Sequence, residues 1–324
     1  MIARYAIPFF FIMGGIVVPL IFYLIARLLL PKKARRHFTL ACTLIIWGTV
    51  AYGYLAGMSQ FEVHHIVYAS NDLPAAFDGY RIVQFSDAHI GTMTGSREWM
   101  RQQMVDSINS QQPDAIVFTG DMQNICSDEL QGVTVFRQLR AKDGVYSILG
   151  NHDYAKYIHA DEAEKERHCR MTIEAERQMG FDLLLNEHRI IRRDTDSIVI
   201  AGMENWGKTK RMPRKGDVGK TLEGLQLKDS DGHQPFIVML QHDPTCWREK
   251  ILPECSAQLT LSGHTHGGQF SLFGLSPASL TYDEWSGTTY EGSRALHVST
   301  GVGALIPFRL GLPREIVVVT LKKK

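Results

Sequence analysis

The first 61 residues of this 324-residue chain contain no Asp or Glu and only six Lys or Arg. Everything from Glu62 onward holds 29 Lys/Arg against 34 Asp/Glu, so a basic head precedes a mildly acidic body. The overall charge of +1 lacks the basic excess that a nucleic-acid-binding surface needs. Cysteine is scarce, five in all, which excludes a disulfide-dense scaffold. Cys126, Cys169, Cys246 and Cys255 match no disulfide framework; paired bridges and unpaired buried thiols both remain open. No His-Glu-x-x-His helix is present, which removes the commonest metallopeptidase signature. Internal repeats and low-complexity tracts are also missing, and an apolar content of 44% is that of a folded chain.

Long apolar runs, in contrast, are concentrated at the start. Ile7 to Leu30 is interrupted only by Arg27, and Phe38 to Phe61 carries no charge at all. Each run has 24 residues, where about 20 helical residues span a bilayer's hydrocarbon core. The first is too long for a cleaved signal peptide and lacks a small-residue cleavage site. Between them lies Pro31-Lys32-Lys33-Ala34-Arg35-Arg36-His37, whose four positive charges mark the cytoplasmic side. The sequence thus predicts a two-helix transmembrane hairpin over residues 1–61 and a connector over 62–79. A multi-pass protein of the cytoplasmic membrane follows, with its body over 80–324 in the periplasm or outside the cell.

The body has a strand, polar loop, helix rhythm. Strands are expected at Arg81–Phe85, Asp114–Phe118 and Gly144–Leu149, with helical patterns over Ser96–Ser110, Ser127–Arg140 and Asp161–Met179. Further strands are expected at 182–185, 190–192, 197–201, 236–240, 258–261, 295–298 and 316–321, and a polar loop over 208–234. This is an α/β class whose chemistry lies at the carboxyl ends of strands. Five strand ends share one habit: an apolar run stops, in four of them at a small residue or Gly, and then presents Asp, His or Asn. The set is Asp87 and His89, Asp121, Asn151 and His152, His242, and His264 and His266. A lone His or Asp on a loop says little, but five such loops are hard to assign to structure because buried carboxylates and imidazoles need partners. Mixed oxygen and imidazole donors suit Mn, Fe or Zn better than Ca, and the shortage of Cys argues against a closed structural zinc site.

Spacing adds an expected geometry. In Asp87-Ala88-His89 and His264-Thr265-His266, side chains two apart point the same way if the segment is extended. Gly120, Gly150 and Gly263 precede ligand candidates, where a tight turn needs backbone freedom. Two metals about 3.5–4 Å apart, bridged by one carboxylate, would generate hydroxide at neutral pH and clamp an in-line displacement at phosphorus. His152, next to a ligand candidate, is placed for general-acid work.

Asp87-x-His89, Gly120-Asp121, Gly150-Asn151-His152-Asp153, His242 and Gly263-His264-x-His266 resemble, in order, the signature blocks of the calcineurin-like metallophosphoesterases. The resemblance runs from Tyr80 to Leu321, and the GHTHGGQ block from Gly263 to Gln269 is similar to a membrane-associated or exported bacterial branch that includes UDP-2,3-diacylglucosamine pyrophosphatases. It implies a two-sheet αββα sandwich with metals at the loop ends. It also implies that Asp87, His89 and His266 hold one metal, that Asn151, His242 and His264 hold the second, and that Asp121 bridges both. His152 would stabilise the phosphoryl charge or protonate the leaving oxygen. Manganese heads the expected metals, with iron, zinc or magnesium as alternatives. One departure is Met122-Gln123-Asn124, where many relatives carry a carboxylate.

The expected activity is hydrolysis of a phosphate ester or pyrophosphate on a phosphorylated lipid or envelope metabolite, with membrane lipids as the hairpin's partners. A cytoplasmic UDP-2,3-diacylglucosamine pyrophosphatase of lipid A synthesis is the alternative, and it conflicts with the topology above. A non-catalytic receptor on the same fold would be marked by lost ligands, and all eight positions are occupied. Trp206, Phe308 and Arg309 lie in loops bordering the expected cleft, as acyl or base contacts and a phosphate fork, or else as packing and surface charge. His159, His168, His188 and His233 are expected in solvent.

Overall fold

A computed structural model describes residues 12–226 and 234–324. The start of the first apolar run, Ile7 to Phe11, and His233 with the middle of the 208–234 loop lie outside the described residues. The chain opens with a π-helical turn Met13–Val17 running into α1, Val18–Leu29, followed by α2, Lys32–Leu55. The two helices pack against each other. Trp47 Nε1 donates to Gly15 O at 2.8 Å, and the Phe22 and Phe38 rings lie 6.5 Å apart. Only α2 with its following turn, Lys32–Ser59, is long and apolar enough to cross a membrane among the described residues; Met13–Leu29 is a shorter apolar helix. The four basic residues expected in a loop instead form the first turn of α2, because Pro31 with ψ 154° caps the helix directly before Lys32.

Two six-stranded mixed sheets form the body, with strands numbered in chain order. The first runs β1 (Phe61–Ser70), β12 (Arg314–Lys323), β2 (Arg81–Phe85), β3 (Ala115–Phe118), β4 (Val145–Ser147), β5 (Asp182–Leu183). The second runs β10 (Gly287–Glu291), β11 (Arg294–Val298), β9 (Leu259–Ser262), β8 (Phe236–Leu240), β7 (Asp196–Gly202), β6 (Glu187–Arg193). Strand residues alternate between two apolar environments, as the period of a strand requires when both faces are covered. Ile82, Val117 and Val319 meet Ile200, Val238 and Leu261 between the sheets. Val83, Ile116 and Val318 point outward to Met104, Val105 and Ile108 of α3, Trp99–Ser110. Val199, Ile237 and Met239 back onto Trp247 and Ile251 on the other side. A fourth helix, α4 (Glu162–Gln178), is capped by Asp161, whose side chain accepts the Glu164 amide at 2.8 Å.

Three expectations change here. The connector over 62–79 contains β1, an edge strand paired in parallel with all of β12; its half-exposed alternation hid it. Ser127–Arg140 is not a helix but two 3₁₀ turns, Ser127–Leu130 and Val135–Gln138, separated by Gly132 at φ 72°. Strand β10, an exposed edge, was not anticipated. The rest of the α/β sandwich stands as expected. Because β2, β3 and β4 are mutually parallel, as are β8 and β9, their carboxyl ends share one rim, and Gln84 Nε2 ties the sheets there by donating to Ser262 O at 2.8 Å.

Candidate metal centre

The rim loops are laced to one another before any side chain reaches inward. Asp87 N donates to Gly120 O at 2.8 Å, Gly263 N to His242 O at 3.0 Å, and His264 N to the Asp87 carboxylate at 3.0 Å. Asp87, His89, Asp121, His264 and His266 all adopt left-handed backbone, with φ of 54°, 39°, 62°, 75° and 52°. For residues other than glycine that conformation is costly and persists only where surroundings over-determine it. The paired side chains therefore converge through left-handed turns, not along the extended segments expected from spacing. Of the three glycines, only Gly120 needs its own freedom, at φ 95°. Gly150 and Gly263 are required for close approach: a Cβ there would overlap Asp121 and Ser86, respectively.

All seven expected ligands come together. His266 Nε2 lies 3.4 Å from Asp87 Oδ1 and 3.0 Å from His89 Nε2. His242 Nε2 lies 3.2 Å from Asp121 Oδ2, 3.1 Å from Asn151 Oδ1 and 3.3 Å from His264 Nδ1. Asp121 stands between the groups, its Oδ2 also 3.6 Å from His89 Nε2. Asp87/His89/His266 and Asp121/His242/His264 each gather their donor atoms within 4.8 Å. Asp87, His89 and His242 are fully buried.

The electrostatics of this cluster are those of a site built around cations. Burial drives His89 down to about 3 and lowers His264 and His266 too, so these imidazoles are neutral and can offer lone pairs. Burial raises Asp87 to about 6. Burial also acts to raise Asp121, but the imidazoles, His242 first, hold its carboxyl well below the usual range. His242 is the exception: burial opposes its charging, yet the Asp121 carboxylate beside it draws its pKa upward. The residues fit a pair of divalent ions. Four imidazoles, two carboxylates and an amide oxygen face inward; His89 and His266 bring their Nε2 atoms within 3.0 Å of each other, while their Nδ1 atoms are buried without partners.

His152 sits beside this cluster with its ring edge-on to His89 at 4.7 Å. Its Nδ1 donates to Asn124 O at 2.5 Å, which leaves Nε2 as the exchangeable position. The Met122-Gln123-Asn124 departure has a structural role here. Gln123 Nε2 donates to His152 O at 2.8 Å, and the Asn124 carbonyl fixes the ring. Glu129, which sequence reasoning passed over, accepts the Asn124 and Ile125 amides at 2.6 and 2.9 Å and so sets that carbonyl. Asp153 accepts the amides of Asp121, Met122, Gln123 and Gly150 at 2.8–3.3 Å, fastening β3's loop to β4's. Tyr157 and Tyr282 were also missed; they receive or share hydrogen bonds with Asn151 Nδ2 (2.8 Å) and His264 Nε2 (2.9 Å). Nothing in the residues around either tyrosine marks it; the fold alone brings each hydroxyl to its partner.

A cavity of about 400 Å³ opens from Asp121, Asn151, His152 and His264 onto an apolar wall that includes Phe270, Leu305, Ile306 and Phe308. Phe308 lines it, as expected. Arg309 does not. Its buried guanidinium donates to Thr300, Gly301 and Gly303 carbonyls at 2.6–3.1 Å, so it braces the 300–303 loop and is not presented to a phosphate. Trp206 is likewise outside the lining; Arg214 and Lys250 lie over its ring, and Met212 lines the cavity instead. His168 is buried against Ser127 Oγ at 2.7 Å, not solvated, and all five cysteines are unpaired.

Residues 80–268 match the calcineurin-like phosphoesterases, and the chain belongs to that family. Family membership carries the class of chemistry, metal-dependent hydrolysis of phosphoric esters, and family members normally use two divalent metals. The chain is 30% identical over 90% of its length to the Bacillus subtilis metallophosphoesterase YkuE, covering 99% of it. It is 29% identical over 86% of its length to a Danio rerio transmembrane protein with a metallophosphoesterase domain, and spans 62% of that relative. To the UDP-2,3-diacylglucosamine pyrophosphatase LpxG of Chlamydia trachomatis it is 27% identical, over 76% of this chain and 85% of that one.

Proposed function

We propose that the protein is a membrane-anchored, dinuclear-metal phosphoesterase, with residues 1–61 as a two-span hairpin carrying a catalytic domain over 80–324, and that its substrate is a phosphorylated lipid or envelope metabolite. The observation that carries this reading is the cavity: ligand residues at one end, and at the other Phe308, against whose ring Gly53 of α2 packs. A cleft walled by apolar side chains beside an apolar helix suits an acylated headgroup better than a soluble nucleotide.

Asp87, His89 and His266 would hold one ion, and Asn151, His242 and His264 the other, with Asp121 shared; manganese suits these donors. When bound, such a pair supplies Lewis-acid activation of water and of the phosphoryl group. The protein's own residues do the rest. Asp121 is oriented by the His152 amide, which donates to its Oδ1 at 2.8 Å. His152, fixed at Nδ1 by Asn124 O, exchanges a proton at Nε2 with the departing oxygen. The wall of Leu305, Ile306 and Phe308 excludes water and seats an apolar chain.

The LpxG relatives favour a second reading, cleavage of the pyrophosphate of UDP-2,3-diacylglucosamine, which requires the body in the cytoplasm. The four basic residues that open α2 favour the opposite side for the body. A reporter fused after Lys324 separates them: alkaline phosphatase activity places the body outside, and green fluorescence inside. Metal-dependent turnover of the UDP-lipid by the solubilised full chain would establish the second reading; turnover confined to simple esters and envelope phospholipids would overturn it.

A further inference from the structure

Between His266 and Asp283 the chain carries no charged residue, yet this segment is not core. Leu272, Phe273, Leu275 and Leu280 are 51%, 95%, 72% and 89% exposed. Leu272 and Leu275 close a hairpin by exchanging backbone hydrogen bonds at 3.0 Å, with Phe273 and Gly274 at its tip, both at positive φ. An aromatic residue held in left-handed backbone and turned wholly outward is costly on a surface that meets only water.

What lies next to the hairpin indicates what covers it. Ser271 N donates to Leu310 O at 2.8 Å, and Gln269 Nε2 donates to Ile306 O and Phe308 O at 2.7 and 2.6 Å. The adjoining Arg309 N donates to Gly53 O of α2 at 3.2 Å. Hairpin base, cavity wall and the carboxyl end of α2 are therefore one hydrogen-bonded strip. Around that end of α2 stand Tyr52 and Trp99, both half exposed, and Tyr54 with Arg97 over its ring at 4.4 Å. Tyr and Trp at the exit of an apolar helix mark the level of a membrane–water interface.

We propose that the Leu272–Leu275 hairpin, with the 3₁₀ turn Pro277–Leu280 that follows it, is a second membrane contact, inserting Leu272, Phe273, Leu275 and Leu280 into the same bilayer leaflet that α2 leaves. This rests on α2 being a membrane span. Insertion places the apolar wall of the cavity against acyl chains, so a lipid slides from the bilayer to the ligand loops without crossing water. It also accounts for the missing charge over this stretch, since one Lys or Asp at the tip would oppose insertion.

The test is a spin label read for collision with oxygen, which concentrates in acyl chains, and with a nickel chelate, which stays in water. Full-length chains in phospholipid nanodiscs would carry one label each: at Phe273→Cys, at the native Cys42 within α2, or at Asn71→Cys beyond β1, all other cysteines replaced. Position 273 is expected to resemble 42 and differ from 71, favouring oxygen over nickel at least tenfold relative to 71. Nickel access at 273 with oxygen preference at 42 overturns the hairpin's insertion and leaves the span intact. Nickel access at both overturns the span and the proposal together. Exclusion of both reagents at 273 means a protein surface, such as a second copy, covers it, and also overturns the proposal. In the native-cysteine chain, p-benzoylphenylalanine at position 273 gives an independent reading: photoadducts to phospholipid are expected, and adducts only to peptide contradict insertion.

Discussion

The two ends of the cavity are built on opposite terms. At the ligand end, Asp87, His89, Asp121 and His242 are buried, five backbones are held in left-handed turns, and backbone amides of one loop donate to carbonyls and carboxylates of the next. At the other end, Leu305 and Ile306 are partly exposed, and the neighbouring hairpin leaves Leu272, Phe273 and Leu275 largely uncovered among the described residues. Strain is affordable at the first because two sheets converge there, and it fixes donor atoms for chemistry the whole family shares. The second end is braced through backbone, by Gln269 and Ser271 to residues 305–310, and leaves its apolar side chains outward; on the reading proposed above, it is where substrate class and membrane contact would be set.

That contrast is easiest to break at its rigid end. Asp121→Ala is expected to lower hydrolysis of bis-p-nitrophenyl phosphate at least about a thousandfold, because a two-ion site supplies several kcal/mol of transition-state stabilisation. Bound metal, measured by elemental analysis, should fall with it. His152→Ala should cost about a hundredfold or more in kcat while metal content holds, the pattern of a proton-transfer group that is not a ligand. Loss of metal in that variant would make His152 a ligand instead. At the apolar end, Ile306→Ser is expected to raise KM about tenfold for an acylated phosphoester and leave the soluble ester unchanged, from the apolar contact removed. An equal effect on both substrates would mean the wall orders the ligand loops and does not seat a chain.

The smallest change in activity is expected at Arg309, the brace between the two ends. Arg309→Lys should leave KM for the soluble ester unchanged, since the guanidinium faces carbonyls and not the cavity. It should lower Tm by about 5 °C or more, because several buried carbonyls lose their donor. A raised KM with unchanged Tm would restore the phosphate fork expected from sequence.

These contrasts also mark what was legible beforehand. The convergence of the seven candidate ligands was, because each follows the end of an apolar run, and the parallel order of β2, β3 and β4 and of β8 and β9 carries those ends to one rim. The turns that aim Asp87 and His89 were not, since nothing in Asp-Ala-His distinguishes left-handed from extended backbone. Arg309 was misplaced because an Arg after Pro-Phe does not disclose a cage of carbonyls formed by residues 300–303. Glu129 and Tyr282 act through contacts that only folding creates. Strand β1 escaped notice because an edge strand with Glu62, His64 and His65 toward solvent reads as a polar linker.

The central claim is that seven residues hold two ions on which hydrolysis depends. The most direct measurement is titration of metal into chelated, detergent-solubilised full-length protein, following bound metal and hydrolysis of bis-p-nitrophenyl phosphate together. The account predicts two divalent ions bound per chain, with activity absent after chelation and restored as the ions bind. Full turnover after exhaustive chelation, or binding of two ions undiminished in Asp121→Ala, would contradict it.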